Sequence, residues 1–218
     1  MHKKILAICA ALVAFAAMSA APALASSNLT LQKNGATVAT GTFIQATNEG
    51  NIVFETGVGP VTCTGSTLTG QVTTNSGTEI AGDVEKATYT GSAPEGKCTS
   101  TWLGDIKPDP EALPWCIKAG GKLATDTFEI RGGKCSEATK SLQFTLTGAS
   151  NCTYTRANVT GSYNTGGTQA ILTIGASQTF TKTAASPFIC PTTGTLAGKY
   201  KLETDEATPT ALTISSTL

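Results

Sequence analysis

Two tryptophans and three carboxylates crowd into one stretch, CTSTWLGDIKPDPEALPWC, from Cys98 to Cys116. Trp102 and Trp115 bracket Asp105, Asp109 and Glu111. Two carboxyls roughly 5 to 10 Å apart can hydrolyse a glycosidic bond, one protonating the leaving oxygen while the other attacks or activates water. An indole face beside them would stack on the sugar. Trp102, Trp115, Asp105 and Asp109 are therefore the candidate binding residues. The plainer reading is that acids of a proline-rich loop are solvated and its indoles pack the loop against the body. Glu203, Asp205 and Glu206 form a second acidic run. It reads as a solvated strand end or a weak calcium site, without the ligand spacing of an EF-hand loop.

Other chemistries lack their parts. The single histidine, His2, lies in the N-terminal leader, so the mature chain has no Ser-His-Asp, Cys-His or His-zinc site. It holds no Ser-x-x-Lys and no Cys-x-x-Cys. The glycines of RGGKC, Arg131 to Cys135, lack the spacing of a phosphate loop and front no helix, so they read as a turn. No catalytic residue, metal site or cofactor is expected.

Residues 1–25 carry an address. His2, Lys3 and Lys4 precede the apolar run ILAICAALVAFAAM, and APALA ends in the small-x-small pattern of a signal-peptidase site. Cleavage is expected before Ser26. Cys9 lies inside the apolar run without a lipobox, and no other apolar run approaches membrane length. The expected protein is secreted, extracellular or held at the cell envelope, with no membrane insertion after cleavage. The mature chain has 13 Lys+Arg against 15 Asp+Glu, and only Arg131 and Arg156 as arginines. Nucleic-acid binding has no basic footprint there. Asn28, Asn151 and Asn158 open N-x-Thr sequons, which a bacterial-type leader makes accidental.

The elements that must position any site are strands. Thr supplies 39 of the 193 mature residues, and its β-branched, polar side chain suits the wet face of a strand. The threonines keep no constant period, which speaks against an ice-binding ladder. Runs such as STLTGQVTT, SLQFTLTG and AILTIGASQTFTKT alternate polar with apolar or small residues, and Gly, Asn and Pro interrupt the chain every 8 to 14 residues. GTFIQATNEGNIVFETG reads as a hairpin turning at Asn48 to Asn51. Pro108, Pro110 and Pro114 forbid a regular central strand, so Cys98 to Cys116 reads as a long ordered loop. Helix signals are nearly absent after the leader. The expected fold is all-β, an antiparallel sandwich or barrel stapled by disulfides. Residues 26–218 read as a single secreted domain, with two echoing halves joined around 99–115 as the alternative.

Six cysteines in an exported chain imply three disulfides. CTGSTLTG at Cys63, CTYTRANVTG at Cys152 and CPTTGTLAG at Cys190 resemble one another, and the intervals Cys63 to Cys98 and Cys152 to Cys190 are nearly equal. That echo selects Cys63–Cys98, Cys116–Cys135 and Cys152–Cys190 from the 15 pairings that six cysteines allow. Within the first motif, Thr69-Gly70 marks a point where a strand bends or is closely approached.

LPWCIKAG, DTFEIRGGKC, SQTFTKTAASPFICPTTGTL and YKLETD resemble a group of secreted bacterial proteins of uncharacterised role, over about Gly41 to Asp205. The resemblance implies export and a cysteine-stapled β fold, and it carries no functional residue. Two functions follow as expectations. The first is a secreted non-enzymatic β-module that binds an extracellular or envelope ligand or partner. The second is a carboxylate-dependent glycan-active enzyme using the Trp-bearing loop 102–115.

Overall fold

Period-two alternation sends one side of each run inward, and the computed structural model shows the inward sides meeting inside a closed ring. The structure describes residues 28–121, 123–124, 126–137 and 139–217. The leader, with its expected cleavage site, His2 and Cys9, lies outside the described residues.

The barrel wall contains β3 (Phe43–Asn48), β4 (Ile52–Thr56), β5 (Gly59–Cys63), β6 (Gly65–Asn75), β7 (Glu79–Thr90), β8 (Cys98–Ser100) and β9 (Gly104–Glu111). It continues with β10 (Trp115–Gly120), β11 (Thr127–Gly132), β12 (Leu142–Thr147), β13 (Asn151–Arg156), β14 (Val159–Tyr163), β15 (Ile171–Lys182) and β16 (Thr193–Thr204). Every pairing within this sheet's ladders is antiparallel. The fold is all-β and barrel-like, and the only helical turn among the described residues is a 3₁₀ turn at Pro94–Gly96.

The pairings reduce these strands to eight long staves. β3 and β4 both run along β16, so they form one interrupted stave rather than a hairpin. Likewise β5 with β6, β7 with β8, β9 with β10, β11 with β12 and β13 with β14 each lie end to end between common neighbours. β15 and β16 run the full length themselves and pair with each other. The result is an eight-stave up-and-down barrel in which each stave pairs with the next and the last returns to the first.

The expected hairpin at Asn48 to Asn51 is therefore a break within a stave. Glu49 N–H still donates to Lys199 O (2.9 Å), keeping the chain on β16 while Gly50 bulges with φ +78°. The expected loop from Cys98 to Cys116 is mostly strand. Pro108 and Pro110 fit β9 because they face Leu146 and Phe144 of β12 at positions where no N–H is required. On its other side β9 meets β8 only over Gly104 to Ile106, so the proline nitrogens interrupt no ladder there.

The breaks form a belt round the middle of the barrel, and side chains replace missing ladder bonds. Asn48 Oδ1 accepts Ser66 N–H (2.7 Å) while its amide nitrogen donates to Thr64 O (2.9 Å). Trp115 Nε1–H donates to Glu111 O (2.8 Å) across the gap between β9 and β10. Thr160 N–H donates to Gln178 Oε1 (3.0 Å) beside the bulge in β15. At Thr69/Gly70 the register shifts, and a Cβ on Gly70 would lie 2.1 Å from Asp83 O. The strand both bends and is closely approached at that point.

Three disulfides tie this wall: Cys63–Cys98 between β5 and β8, Cys116–Cys135 between β10 and the segment after β11, and Cys152–Cys190 between β13 and the β15–β16 connection. They fit folding outside a reducing cytoplasm. No helix among the described residues is long and apolar enough to cross a membrane.

β1 (Asn28–Lys33), β2 (Ala36–Thr37) and β17 (Leu212–Thr217) form a separate three-stranded sheet at one end. Its Leu29, Leu31, Leu212 and Ile214 are buried. Asn75 fastens the cap, accepting Leu31 N–H (3.0 Å) and donating to Leu31 O (2.9 Å) and Val38 O (2.8 Å).

Candidate functional site

The barrel wall separates the candidate residues of the sequence. On β9 the odd-numbered Asp105, Asp109 and Glu111 face outward, while Ile106 is fully buried inside. Asp109 pairs with Lys107 (3.0 Å) and accepts the Thr147 hydroxyl (3.0 Å). Glu111 accepts Gln143 Nε2–H (2.9 Å) and the Thr145 hydroxyl. Asp105 and Asp109, four residues apart on an extended strand, are separated by roughly 13 Å. Trp115 lies inside the barrel, 6% exposed. Trp102 stands in the β8–β9 turn with its Nε1–H buried and unpartnered. These four residues do not converge on one pocket.

The second acidic run is also engaged. Glu203 pairs with Lys201 (3.0 Å) and accepts the Thr47 hydroxyl (2.9 Å), and Glu206 pairs with Lys33 (2.7 Å). Burial raises the Glu203 carboxyl, but Lys201 and Thr47 outweigh it and hold the carboxyl below its usual range. Asp83, Cys116 and Cys135 are the one metal-like cluster among the described residues. Both sulfurs are in a disulfide, and Asp83 accepts Cys135 N–H (2.6 Å), so the cluster has no thiolate to offer.

The barrel interior is the more site-like space. At the end away from the cap, Phe54, Phe144, Tyr154 and Phe180 form a plug with ring centroids 4.8 to 6.1 Å apart. Tyr154 O–H donates to Pro191 O (3.1 Å), joining the plug to the β15–β16 connection, which bears the exposed Phe188 and Ile189. Between plug and cap lie three apolar voids of about 70, 50 and 60 Å³. Leu68, Ile130, Ile174 and Tyr200 line both the first and the second. Ile44, Ile117, Phe128 and Leu202 line both the second and the third, which ends against Leu31 and Ile214 of the cap. The voids thus follow one another from plug to cap.

No family model, curated protein or solved structure matches this chain. The site must be read from its own chemistry.

That chemistry is a short hydroxyl row in an apolar lining. Ser66 Oγ and Tyr200 Oη are 2.9 Å apart, both residues are 4% exposed, and the Tyr89 hydroxyl faces Tyr200. Burial pushes the Tyr200 hydroxyl up to about 12, with smaller opposing effects from Ser66 and Tyr89. Burial, then the neighbouring Tyr200, holds Tyr89 well above its usual value. The row thus offers neutral dipoles, and the one charged residue among those described along the three voids, Asp83 beside the second, accepts Cys135 N–H (2.6 Å). Sequence reasoning missed Ser66, Tyr89 and Tyr200. Each occupies an inward position of an alternating run, and a polar residue on an apolar face was the available signal.

Among the described residues the outer wall carries an open depression lined by Glu79, Lys118, Glu129 and Arg131, whose charges pair as Lys118 with Glu79 (3.8 Å) and Arg131 with Glu129.

Proposed function

We propose that this protein is an exported, non-enzymatic binding barrel that holds a small, neutral, largely apolar molecule between the aromatic plug and the cap. The observation that carries this reading is the run of three apolar voids inside a closed eight-stave ring. A barrel of this strand number is just wide enough either to be filled by its own side chains or to enclose one small ligand. Here the filling is interrupted, and the voids share their lining residues.

Export is supported by the leader at residues 1–25 and by the three disulfides. The outward side chains, such as Glu55, Lys86, Lys107, Glu129, Thr181 and Lys199, give the wall a wet face, the reverse of a lipid-facing barrel. Binding without turnover is the function this favours, because the outward acids of β9 and the inward Trp115 do not share a pocket.

Benzene and n-pentane test the reading in a protein-observed NMR titration. The expected result is saturable shifts at Ile130, Ile174 and Tyr200, with outward positions such as Lys107 and Thr181 unmoved, and a rise in Tm with probe concentration. No saturable shift with either probe up to its solubility would overturn the reading.

A further inference from the structure

We infer that the ligand carries one neutral hydrogen-bonding group, an alcohol or ketone oxygen on a short hydrocarbon chain, held by the Ser66–Tyr200–Tyr89 hydroxyl row. This rests on the interior-binding reading above and names the class of molecule that the same space would select.

The row determines the polar end. The Ser66 and Tyr200 hydroxyls supply two protons but make one bond between them, so one O–H is left to donate. The Ser66–Tyr200 contact is 2.9 Å, and Tyr89 lines the first void with Tyr200. The remaining polar atom on the first void's lining side chains is Trp115 Nε1, which already donates to Glu111 O. A ligand oxygen therefore has one donor awaiting it. Tyr200 borders both the first and the second void and Tyr89 lines the first, so the hydroxyls that a ligand meets are those of the tyrosines.

The same lining excludes other classes. No Lys or Arg lines any of the three voids, so a carboxylate or phosphate would be buried without a counter-charge, at heavy cost. Burial of both tyrosines opposes their ionisation, so the row offers no negative partner to a cation, and Asp83, the one carboxylate among the described residues beside the voids, is engaged by Cys135 N–H (2.6 Å). A pure hydrocarbon fits but leaves the spare O–H unmet. Size follows from volume. At roughly 30 Å³ for each water-sized group, the first two voids together hold about four carbon- or oxygen-sized groups, so a five-carbon chain needs the lining side chains between them to turn aside.

The test uses 1-pentanol, 2-pentanone, n-pentane and pentanoate, titrated by NMR into the disulfide-intact protein and into Tyr200→Phe and Ser66→Ala. The alcohol and ketone are expected to bind about five- to tenfold more tightly than pentane, the difference of one neutral hydrogen bond. Pentanoate is expected to bind more weakly than either. Tyr200→Phe removes the hydroxyl that borders both voids and should cut the preference for pentanol over pentane to about twofold, whereas Ser66→Ala leaves the Tyr200 O–H in place and should keep the preference. The amide spectrum of each variant shows whether it has folded, and the ranking of the four probes on the parent protein tests the ligand class without either variant. Equal binding of pentane and pentanol, or preference for pentanoate, would overturn the ligand class and leave interior binding standing. Binding of none of the four would overturn both.

Discussion

Phe128 on β11 stands directly opposite Gly161 on β14, and its ring fills the space that any side chain on Gly161 would need. A Cβ there would lie 2.4 Å from the ring. Gly161→Ala must displace both Phe128, a fully buried ring that also lines the second and third voids, and the Thr173 carbonyl oxygen, 2.3 Å from the same Cβ. Overpacking of this kind costs about 1 to 3 kcal/mol. Urea unfolding should show a lower midpoint at an unchanged slope. An alanine variant as stable as the parent would mean that the ring is not seated there.

Cys63 and Cys98 cross-link adjacent staves beside Thr62 and Thr99, with Cα atoms 4.5 Å apart. Cys63→Ser and Cys98→Ser should each lower stability by about 2 to 5 kcal/mol, and the double variant should cost little more than either. Guanidinium unfolding of the three variants measures this. Additive losses would show that the two cysteines act separately.

Asn75 alone makes three hydrogen bonds to the cap's backbone. Asn75→Leu leaves those groups unmet and should cost about 1 to 3 kcal/mol. The loss should be local. Hydrogen exchange at Leu31 and Val38 should accelerate more than at Phe54 and Val61 of the far half. Uniform acceleration would mean that the cap and the barrel open as one unit.

All four tyrosines are shifted upward, with burial the largest cause for each. Their folded values exceed the unfolded value near 10, so between these values the unfolded chain binds fewer protons than the native one. Stability from this source is fully present below about pH 10 and falls as pH rises toward the folded values, about 12 for Tyr154 and Tyr200. Absorbance at 295 nm should show no tyrosinate transition near pH 10 in the native protein, and a late one that accompanies unfolding. A normal transition near pH 10 with the fold intact would contradict the burial of the hydroxyl row.

Trp115 packs inside the barrel while Asp109 lies outside it, so their substitutions should behave differently. Trp115→Ala removes a nearly buried ring and should cost about 3 to 5 kcal/mol. Asp109→Asn removes an exposed ion pair with Lys107 and should cost no more than about 1 kcal/mol. Thermal unfolding separates the two. A large loss from Asp109→Asn would return attention to the outer face of β9.

Local order was open to sequence reading, because it depends on neighbours in the chain. Alternation in SLQFTLTG identifies Leu142, Phe144 and Leu146 as one face, and the pleat alone puts them on one side of the sheet. Thr69-Gly70 announces its bend because only glycine tolerates a backbone that close. The barrel's closure and its eight-stave count were not open in this way. Gly50 and Pro114 sit at breaks inside staves, yet the same residue types make reversing turns elsewhere. Whether the chain reverses or carries straight on depends on which distant strand receives its next hydrogen bonds. For Asn48 to Asn51 that strand is β16, some 150 residues onward. The hydroxyl row is decided in part the same way: Ser66 and Tyr89 are partners across the consecutive strands β6 and β7, but Tyr200 joins them only because β16, more than a hundred residues onward, curves round the same interior. Amino-acid type and period settle which face is dry. Only the closed ring of hydrogen bonds settles which residues share it.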